Sequence, residues 1–263
     1  MRSAAALAWA LLAASPVSAQ ESPQQAPFIT TPPAVVARML ALARTGPDDF
    51  VVDLGSGDGR IVIHAASAHG ARGLGVDLDA KLVALASENA ARAGVADRVR
   101  FEVGDALRTK LAGASVVTLY LLPFLLEQLQ PRLLADLEPG SRIVSHAFPL
   151  ASWPHDRRET VRLPQRHQGQ GDSSRIFLYV VPAQVRGDWR SPDGWRLRVH
   201  QNYQRIEVEA MREGRPVVVA DARLQGRRLR FSGPAVAFDG QVAGDRIRGE
   251  LASGKPLEFE RAP

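Results

Sequence analysis

Apolar positions recur along the chain at two different periods, and the change of period divides it. From residue 33 to about residue 146, short apolar runs alternate with segments whose apolar residues return every three or four positions. That is the signature of buried parallel strands alternating with amphipathic helices. The spacing predicts a helix opening at Pro32 or Pro33 and running through Val35, Val36, Met39, Leu40 and Leu42 to about Arg44, stopped by Gly46-Pro47. A second helix is expected from Arg60 to His69, capped by Gly70. A third spans Ala80 to Arg92, with Leu82, Leu85, Ala86 and Ala90 near one stripe. A fourth includes Leu125 to Leu137, with Pro131 as a possible kink. The intervening strands are Val51 to Leu54, Leu74 to Asp77, Val99 to Val103, Ser115 to Leu119 and Ser141 to His146.

After His146 the period falls to two. Residues 157 to 163 and 175 to 181 read as a hairpin around a polar, glycine-containing loop from Gln165 to Ser174. Beyond Pro182, Trp195 to Val199, Arg205 to Glu209, Val217 to Ala222, Arg228 to Phe231, Ala235 to Phe238, Arg246 to Glu250 and Leu257 to Phe259 show period-two alternation broken by turns. The expected fold is therefore α/β, a seven-stranded doubly wound sheet followed by a small all-β C-terminal domain, sandwich or barrel. The divisions fall at a leader of residues 1–19, an arm or lid of 20–32, an α/β domain of 33–182 and a small antiparallel β domain of 183–263.

The leader is set apart by its pattern. Met1-Arg2 gives a positive start, Ala4 to Ala14 an apolar run, and Val17-Ser18-Ala19 a small-residue site before Gln20. These features predict a cleaved secretory signal and a periplasmic or secreted protein; the alternative is a membrane anchor left uncleaved. No later run reaches the ~20 apolar residues of a membrane span. Cysteine is absent, which removes thiolate nucleophiles and cysteine-held zinc. Thirty-three basic residues against 28 acidic ones give a formal charge of +5. The arginines are dispersed without a nucleic-acid motif, so nucleic acid is disfavoured as a partner. His64 and His69 stand five apart, a spacing that should not face two metal ligands together, and no metal is expected.

Chemistry concentrates in Asp53-Leu-Gly55-Ser56-Gly57-Asp58-Gly59, where a strand runs into three glycines at alternate positions. Such glycines let a ligand lie against the backbone. A dinucleotide fingerprint needs its third glycine at the sixth position, which here is Arg60. Two acids beside the loop also repel a pyrophosphate and suit a cation. A second acid, Asp77, ends the next strand about 20 positions on, where a βαβ unit presents a carboxylate to ribose hydroxyls. A third follows the next strand in Gly104-Asp105-Ala106.

Together these three elements resemble the cofactor half of a class I S-adenosylmethionine-dependent methyltransferase. The resemblance covers roughly residues 28 to 181 and implies S-adenosyl-L-methionine as cofactor. It further implies a glycine loop (Gly55, Ser56, Gly57, Gly59) against the methionine part, Asp77 with Leu78 at the ribose, and Asp105 with the Ala106 backbone at the adenine. Asp53 would orient the loop or meet the charged amino end. Phe28-Ile-Thr-Thr31-Pro32, Asp53 to Arg60 and Thr118-Leu-Tyr120-Leu-Leu-Pro123 are similar to a bacterial branch related to protein-lysine methyltransferases. In that setting Phe28 to Thr31 is a lid, or Phe28 merely anchors the arm. Tyr120 orients an amine, walls its pocket or packs the core; His146 accepts a proton or serves as a structural histidine. The implied reaction is N-methylation of an amine such as a protein lysine, with small-molecule O- or N-methylation and noncatalytic cofactor binding as alternatives. The methyl acceptor is thus a protein or a small molecule. The Asn/Asp-Pro-Pro-Tyr form of many nucleic-acid amino-methyltransferases is absent.

Overall fold

The structure is a computed structural model, which describes residues 29–167 and 171–262, with backbone alone at 165–167. The expected leader, most of the arm and Phe28 lie outside the described residues.

Helix α1 (Pro33–Leu42) starts on a proline at its first position and buries Val35, Val36, Met39, Leu40 and Leu42. It stops two residues earlier than its apolar pattern suggests, because Arg44 takes a left-handed φ of 52°. Then follow β1 (Phe50–Leu54), α2 (Arg60–His69), β2 (Arg72–Asp77), α3 (Ala80–Arg92), β3 (Val99–Val103), β4 (Val116–Leu119), α4 (Pro123–Asp136) and β5 (Arg142–His146). In α3 the inward stripe is Val83, Ala86 and Ala90, rotated from the expected one, and Leu85 is exposed. Positions 83, 86 and 90 keep the three-and-four spacing of one helix face, which Leu82 and Leu85 do not share with Ala90. Gly73 and Gly75 bring neighbours close to β2: a Cβ would come within 2.5 Å of Val62 on α2 and of Phe101 on β3, respectively.

The hairpin β6 (Arg157–His167) and β7 (Gly171–Val180) completes the first sheet in the order β3-β2-β1-β4-β5-β7-β6. Strands β1 to β5 pair in parallel, and β7 runs antiparallel to both β5 and β6. The strands extend through most of the expected Gln165–Ser174 loop, with a register shift between Arg162 and His167. Of the described polar residues there, Asp172 is exposed and Ser173 partly exposed on a two-stranded ribbon projecting past the end of β5, while Ser174 is buried. The order reverses between β1 and β4, so the crevice for a ligand lies at their carboxyl ends.

The remaining strands are β8 (Gly187–Arg190), β9 (Trp195–Asn202), β10 (Arg205–Arg212), β11 (Arg215–Val217), β12 (Asp221–Gln225), β13 (Arg228–Gly233), β14 (Val236–Ala243), β15 (Arg246–Leu251) and β16 (Pro256–Arg261). They form one antiparallel sheet, β11-β10-β9-β8-β16-β15-β14-β13-β12, coiled so that β12 approaches β10 around a single core. The expected strand from Val217 to Ala222 is two strands, β11 and β12, split where the chain passes from one edge of this sheet to the other.

The coiled sheet is fastened to the first by Arg227, which donates to Glu138 Oε2 at 2.6 Å and to Pro139 O at 3.3 Å, and by the β9–β10 turn, which packs on Trp153. Tyr203, at the β9–β10 turn with φ 55°, stacks on buried Trp153 at 5.1 Å between centroids. Its hydroxyl accepts from Gln130 Nε2 of α4 at 2.6 Å. Gln204 Oε1 accepts from Trp153 Nε1 at 3.1 Å. Among the described residues no helix is long and apolar enough to cross a membrane.

Candidate active site

Strand β1 is buried from Val51 to Leu54 and delivers the chain to Gly55, Gly57 and Gly59, whose φ values of 80°, 54° and 79° lie in the region that favours glycine. The loop folds back on the end of β2. Gly55 N and Ser56 N donate to Val76 O at 2.8 and 3.0 Å, and Gly57 N donates to Asp77 Oδ2 at 2.8 Å. Asp79 N donates to Asp77 Oδ1 at 3.0 Å. Each oxygen of this half-buried carboxylate holds one backbone donor and keeps capacity for another, the arrangement needed to accept from two vicinal hydroxyls.

Asp53 is 2% exposed and accepts from Thr118 Oγ1 at 2.7 Å. Burial pushes its carboxyl up to about 7; the Thr118 bond opposes this, and the charges of Asp77 and Asp58 add to it. Against these three acids stands Arg60, whose guanidinium grips Asp58 at 2.6 Å and donates to Thr31 O at 3.0 Å. Thr31, itself buried, places Oγ1 3.1 Å from Nδ1 of His146, which is fully buried at the end of β5. The Tyr120 ring, just beyond β4, lies over the His146 ring at 4.1 Å between centroids, tilted by 41°. The segment before α1, the glycine loop and the ends of β4 and β5 are thereby joined in one cluster.

At the neighbouring strand ends, Gly104 N donates to Asp77 O at 2.9 Å, drawing β3 against β2. Asp105 Oδ1 accepts from Leu107 N at 2.8 Å, and Ala106 packs against the core. Leu78 and Val103 leave this edge 61% and 58% exposed, two apolar side chains beside two carboxylates. Ser56 is turned inward, with its hydroxyl buried and unpartnered and its Cβ only 2.8 Å from where a side chain on Gly75 would begin.

The expected residues Thr31, Asp53, Gly55, Gly57, Gly59, Asp77, Tyr120 and His146 therefore meet at one edge, with Leu78, Asp105 and Ala106 beside them and Ser56 beneath the loop. Two participants escaped the reading of the sequence as site residues, Arg60 and Thr118. Both stand inside the motifs that marked the site, and a buried acid always needs a donor, which was the available signal for Thr118. His64 and His69 do meet, contrary to expectation, edge to face at 6.0 Å between centroids. Helical side chains lean toward the N-terminus, which carries His69 back over the preceding turn. Among the described residues no three of His, Asp and Glu gather around a metal position. A groove of about 460 Å³ between β12 and β15 shares no residue with this edge, so volume is not what marks the site.

The donor set fits S-adenosylmethionine: a loop crowded by acids for a molecule with a sulfonium and an ammonium, a carboxylate with two open acceptor positions for a ribose, and apolar walls for a flat ring. A family model described as the ANTKMT methyltransferase domain matches residues 53–157. A protein-lysine N-methyltransferase of Saccharolobus islandicus is 35% identical over 156 residues, 59% of this chain and 93% of that protein. The mouse adenine nucleotide translocase lysine N-methyltransferase is 36% identical over 157 residues, 60% of this chain but 64% of that enzyme. A crystal structure of an RNA methyltransferase from Salinibacter ruber with S-adenosylhomocysteine superposes with a TM-score of 0.54 at 45% identity, covering 60% of this chain and 96% of that one.

Proposed function

This chain belongs to the class I S-adenosylmethionine-dependent methyltransferases related to the protein-lysine N-methyltransferases, and from that premise we propose that it methylates the ε-amine of a protein lysine. The observation that carries the reading is the Thr31–His146–Tyr120 cluster at the carboxyl ends of β4 and β5, directly beside the glycine loop. When bound, S-adenosylmethionine supplies a methyl group already activated on a sulfonium, which passes to the amine nitrogen and leaves S-adenosylhomocysteine.

The protein's work is then positioning, and positioning alone can supply much of the rate. Asp77 accepts from the ribose hydroxyls with Leu78 beside it, and Asp105 and the Ala106 backbone read the adenine. Asp53 and the loop of Gly55, Gly57 and Gly59 hold the cationic methionine end. On the acceptor side Tyr120, partly exposed, meets the amine and orients its lone pair. His146 is fully buried behind it and holds the Tyr120 ring and Thr31 in place. A lysine amine has an ordinary pKa near 10.4, so it must shed a proton before its nitrogen can attack.

A second reading, transfer to RNA, is favoured by the name of the Salinibacter ruber protein. Incubating the chain with isotopically labelled S-adenosylmethionine and separated protein, RNA and metabolite fractions divides the readings. Label recovered as methyl-lysine is the expected result, and label confined to RNA or metabolites overturns it. Asp77→Ala should weaken the cofactor about 100-fold or more, because two hydrogen bonds to a charged group are lost and the loop loses its brace. Export is part of the same proposal: the pattern of Arg2, Ala4 to Ala14 and Val17-Ser18-Ala19 supports a periplasmic protein starting near Gln20, and intact-mass measurement on the protein from its host tests that.

A further inference from the structure

The surface beside the acceptor side carries a second feature, a set of arginines that the rest of the molecule does not neutralise. On the coiled sheet Arg198 pairs with Asp188, Arg223 with Asp221, Arg228 with Asp239, Arg248 with Glu258 and Arg261 with Asp245. Arg190, Arg196, Arg205, Arg215 and Arg230 are exposed there without an ion pair among the described residues, but they lie on that sheet's own strands and not at the carboxyl edge of the first sheet. On the β6–β7 hairpin, Arg158, Arg162 and Arg175 are exposed, and among the described residues none of them has a carboxylate within ion-pair distance. Register puts the three on one face. Arg158 stands opposite Phe177, Thr160 opposite Arg175, and Arg162 opposite Ser173. The other face carries Glu159, Val161, Leu163 and Ile176 and packs on α1, where Glu159 is held by Arg38.

The position of this face matters. Ile176 pairs with His146 on one side and Glu159 on the other, while the arginines stand on the opposite sheet face from the His146 side chain, so a segment bound to them crosses the carboxyl edge to reach it. The edge strand runs level with the catalytic cluster, two strand spacings or about 10 Å away. From that level the hairpin continues past the end of β5, toward the side from which an acceptor must approach. Strand β6 is also the edge of its sheet, with its outer backbone groups unpaired by any described strand.

Resting on the lysine reading above, we propose that the arginine face of β6–β7 docks an acidic segment of the protein substrate, set about three to five residues from the methylated lysine. That spacing is what an extended chain rising roughly 3.3 Å per residue needs to cover the distance between β6 and the His146 level. Carboxylates pair with guanidinium groups in a planar fork, and an open strand edge offers hydrogen bonds that an extended polypeptide can complete. A nucleic acid would need stacking surfaces here, and the aromatic side chains on this face, Phe177 and Tyr179, are buried.

Steady-state transfer to synthetic single-lysine peptides tests the proposal with the full-length chain. One peptide carries glutamates about four residues from the lysine, a second glutamines and a third arginines. The glutamate peptide should show a KM about tenfold below the glutamine peptide with kcat unchanged. In a chain carrying Arg158→Glu and Arg162→Glu, with cofactor affinity confirmed as normal, the preference should pass to the arginine peptide. The single change Arg162→Gln, which adds no new charge, should reduce the advantage partway. Equal KM values for the three peptides overturn the docking surface while leaving lysine methylation standing. Absence of transfer to any lysine, with the cofactor still bound, overturns the underlying reading and the docking surface with it. Binding of a single-stranded RNA oligonucleotide that is lost in the double variant, with no discrimination among peptides, makes the face a nucleic-acid surface and overturns the proposal.

Discussion

The two sheets treat polar groups in opposite ways. In the first, Thr31, Asp53, Ser56, Thr118, Ser145 and His146 are buried at or near the carboxyl edge; in the coiled sheet the one buried polar residue among those described is Gln201. Gln201 is fully employed, accepting from Val185 N at 2.7 Å and donating to Ala183 O and Tyr203 O at 2.9 and 2.8 Å. Asp53, by contrast, has a single donor in Thr118 and two acids for company. Isolated buried charge is costly, and a fold keeps it where a ligand will supply the missing partner. The difference separates a region holding electrostatic strain for a cationic cofactor from one whose electrostatics are closed, as suits a scaffold.

The sharpest way to break that comparison is Asp53→Asn. Asparagine keeps the shape and can still accept from Thr118. The folded-state value near 7 lies above the ordinary 3.8, so between those pH values the folded protein holds a proton that the unfolded chain has lost. Stability therefore falls as pH rises through this window and is flat above it. The variant should be more stable than the parent at pH 8, by at most about 4 kcal/mol, and the gain should vanish near pH 4. Denaturant unfolding across pH reads this. The same change should weaken S-adenosylmethionine about tenfold and abolish the rise in affinity expected of the parent between pH 6 and pH 8, since the cation binds best to the carboxylate. A variant that is less stable at pH 8, or one binding the cofactor normally, would remove the distinction between the regions.

That contrast was only partly legible in the residue order. The glycine loop, Asp77 and Asp105 could be placed because strand ends and glycines are local features, readable from spacing alone. The parallel sheet followed from the alternation of apolar runs with helical stripes. What escaped depends on contacts between distant segments. Arg60 reaches Thr31, 29 positions away, and Thr118 reaches Asp53 across 65, and no local pattern encodes either. The hairpin was cut short for a related reason: polar composition resembles a loop, whereas a ribbon projecting beyond its sheet can be polar on both faces. Strand β8, only Gly187–Arg190, is too short for its alternation to stand out.

The attachment between the sheets gives the next effect. Tyr203→Ala removes the stack on Trp153 and the bond from Gln130, leaving a cavity against a buried indole. It should cost about 3 kcal/mol in unfolding free energy while leaving cofactor affinity unchanged. If cofactor affinity fell in parallel, the coiled sheet would be acting on the site through α4, and the division between strained site and closed scaffold would need redrawing. Ending the chain after residue 182 should produce the same loss in larger measure, because Trp153 and Leu134 would both lose their cover.

The smallest effect belongs to the paired surface arginines, and it tests the closed half of the comparison directly. Arg228 forks onto Asp239 across β13 and β14, holding that carboxyl below its usual range, and both side chains are largely in water. An exposed pair gains little from Coulomb attraction at high dielectric, and it gives up side-chain freedom to hold its geometry. Asp239, with its value lowered in the fold, lends stability above its ordinary pKa that is lost as pH falls through the folded value, so any contribution is present at neutrality. Arg228→Ala should nevertheless leave the melting midpoint at pH 7 within experimental error, in low salt and in high salt alike. A clear drop confined to low salt would show that these ladders act as a network holding the coil of the sheet, and that the scaffold too stores part of its stability in charge.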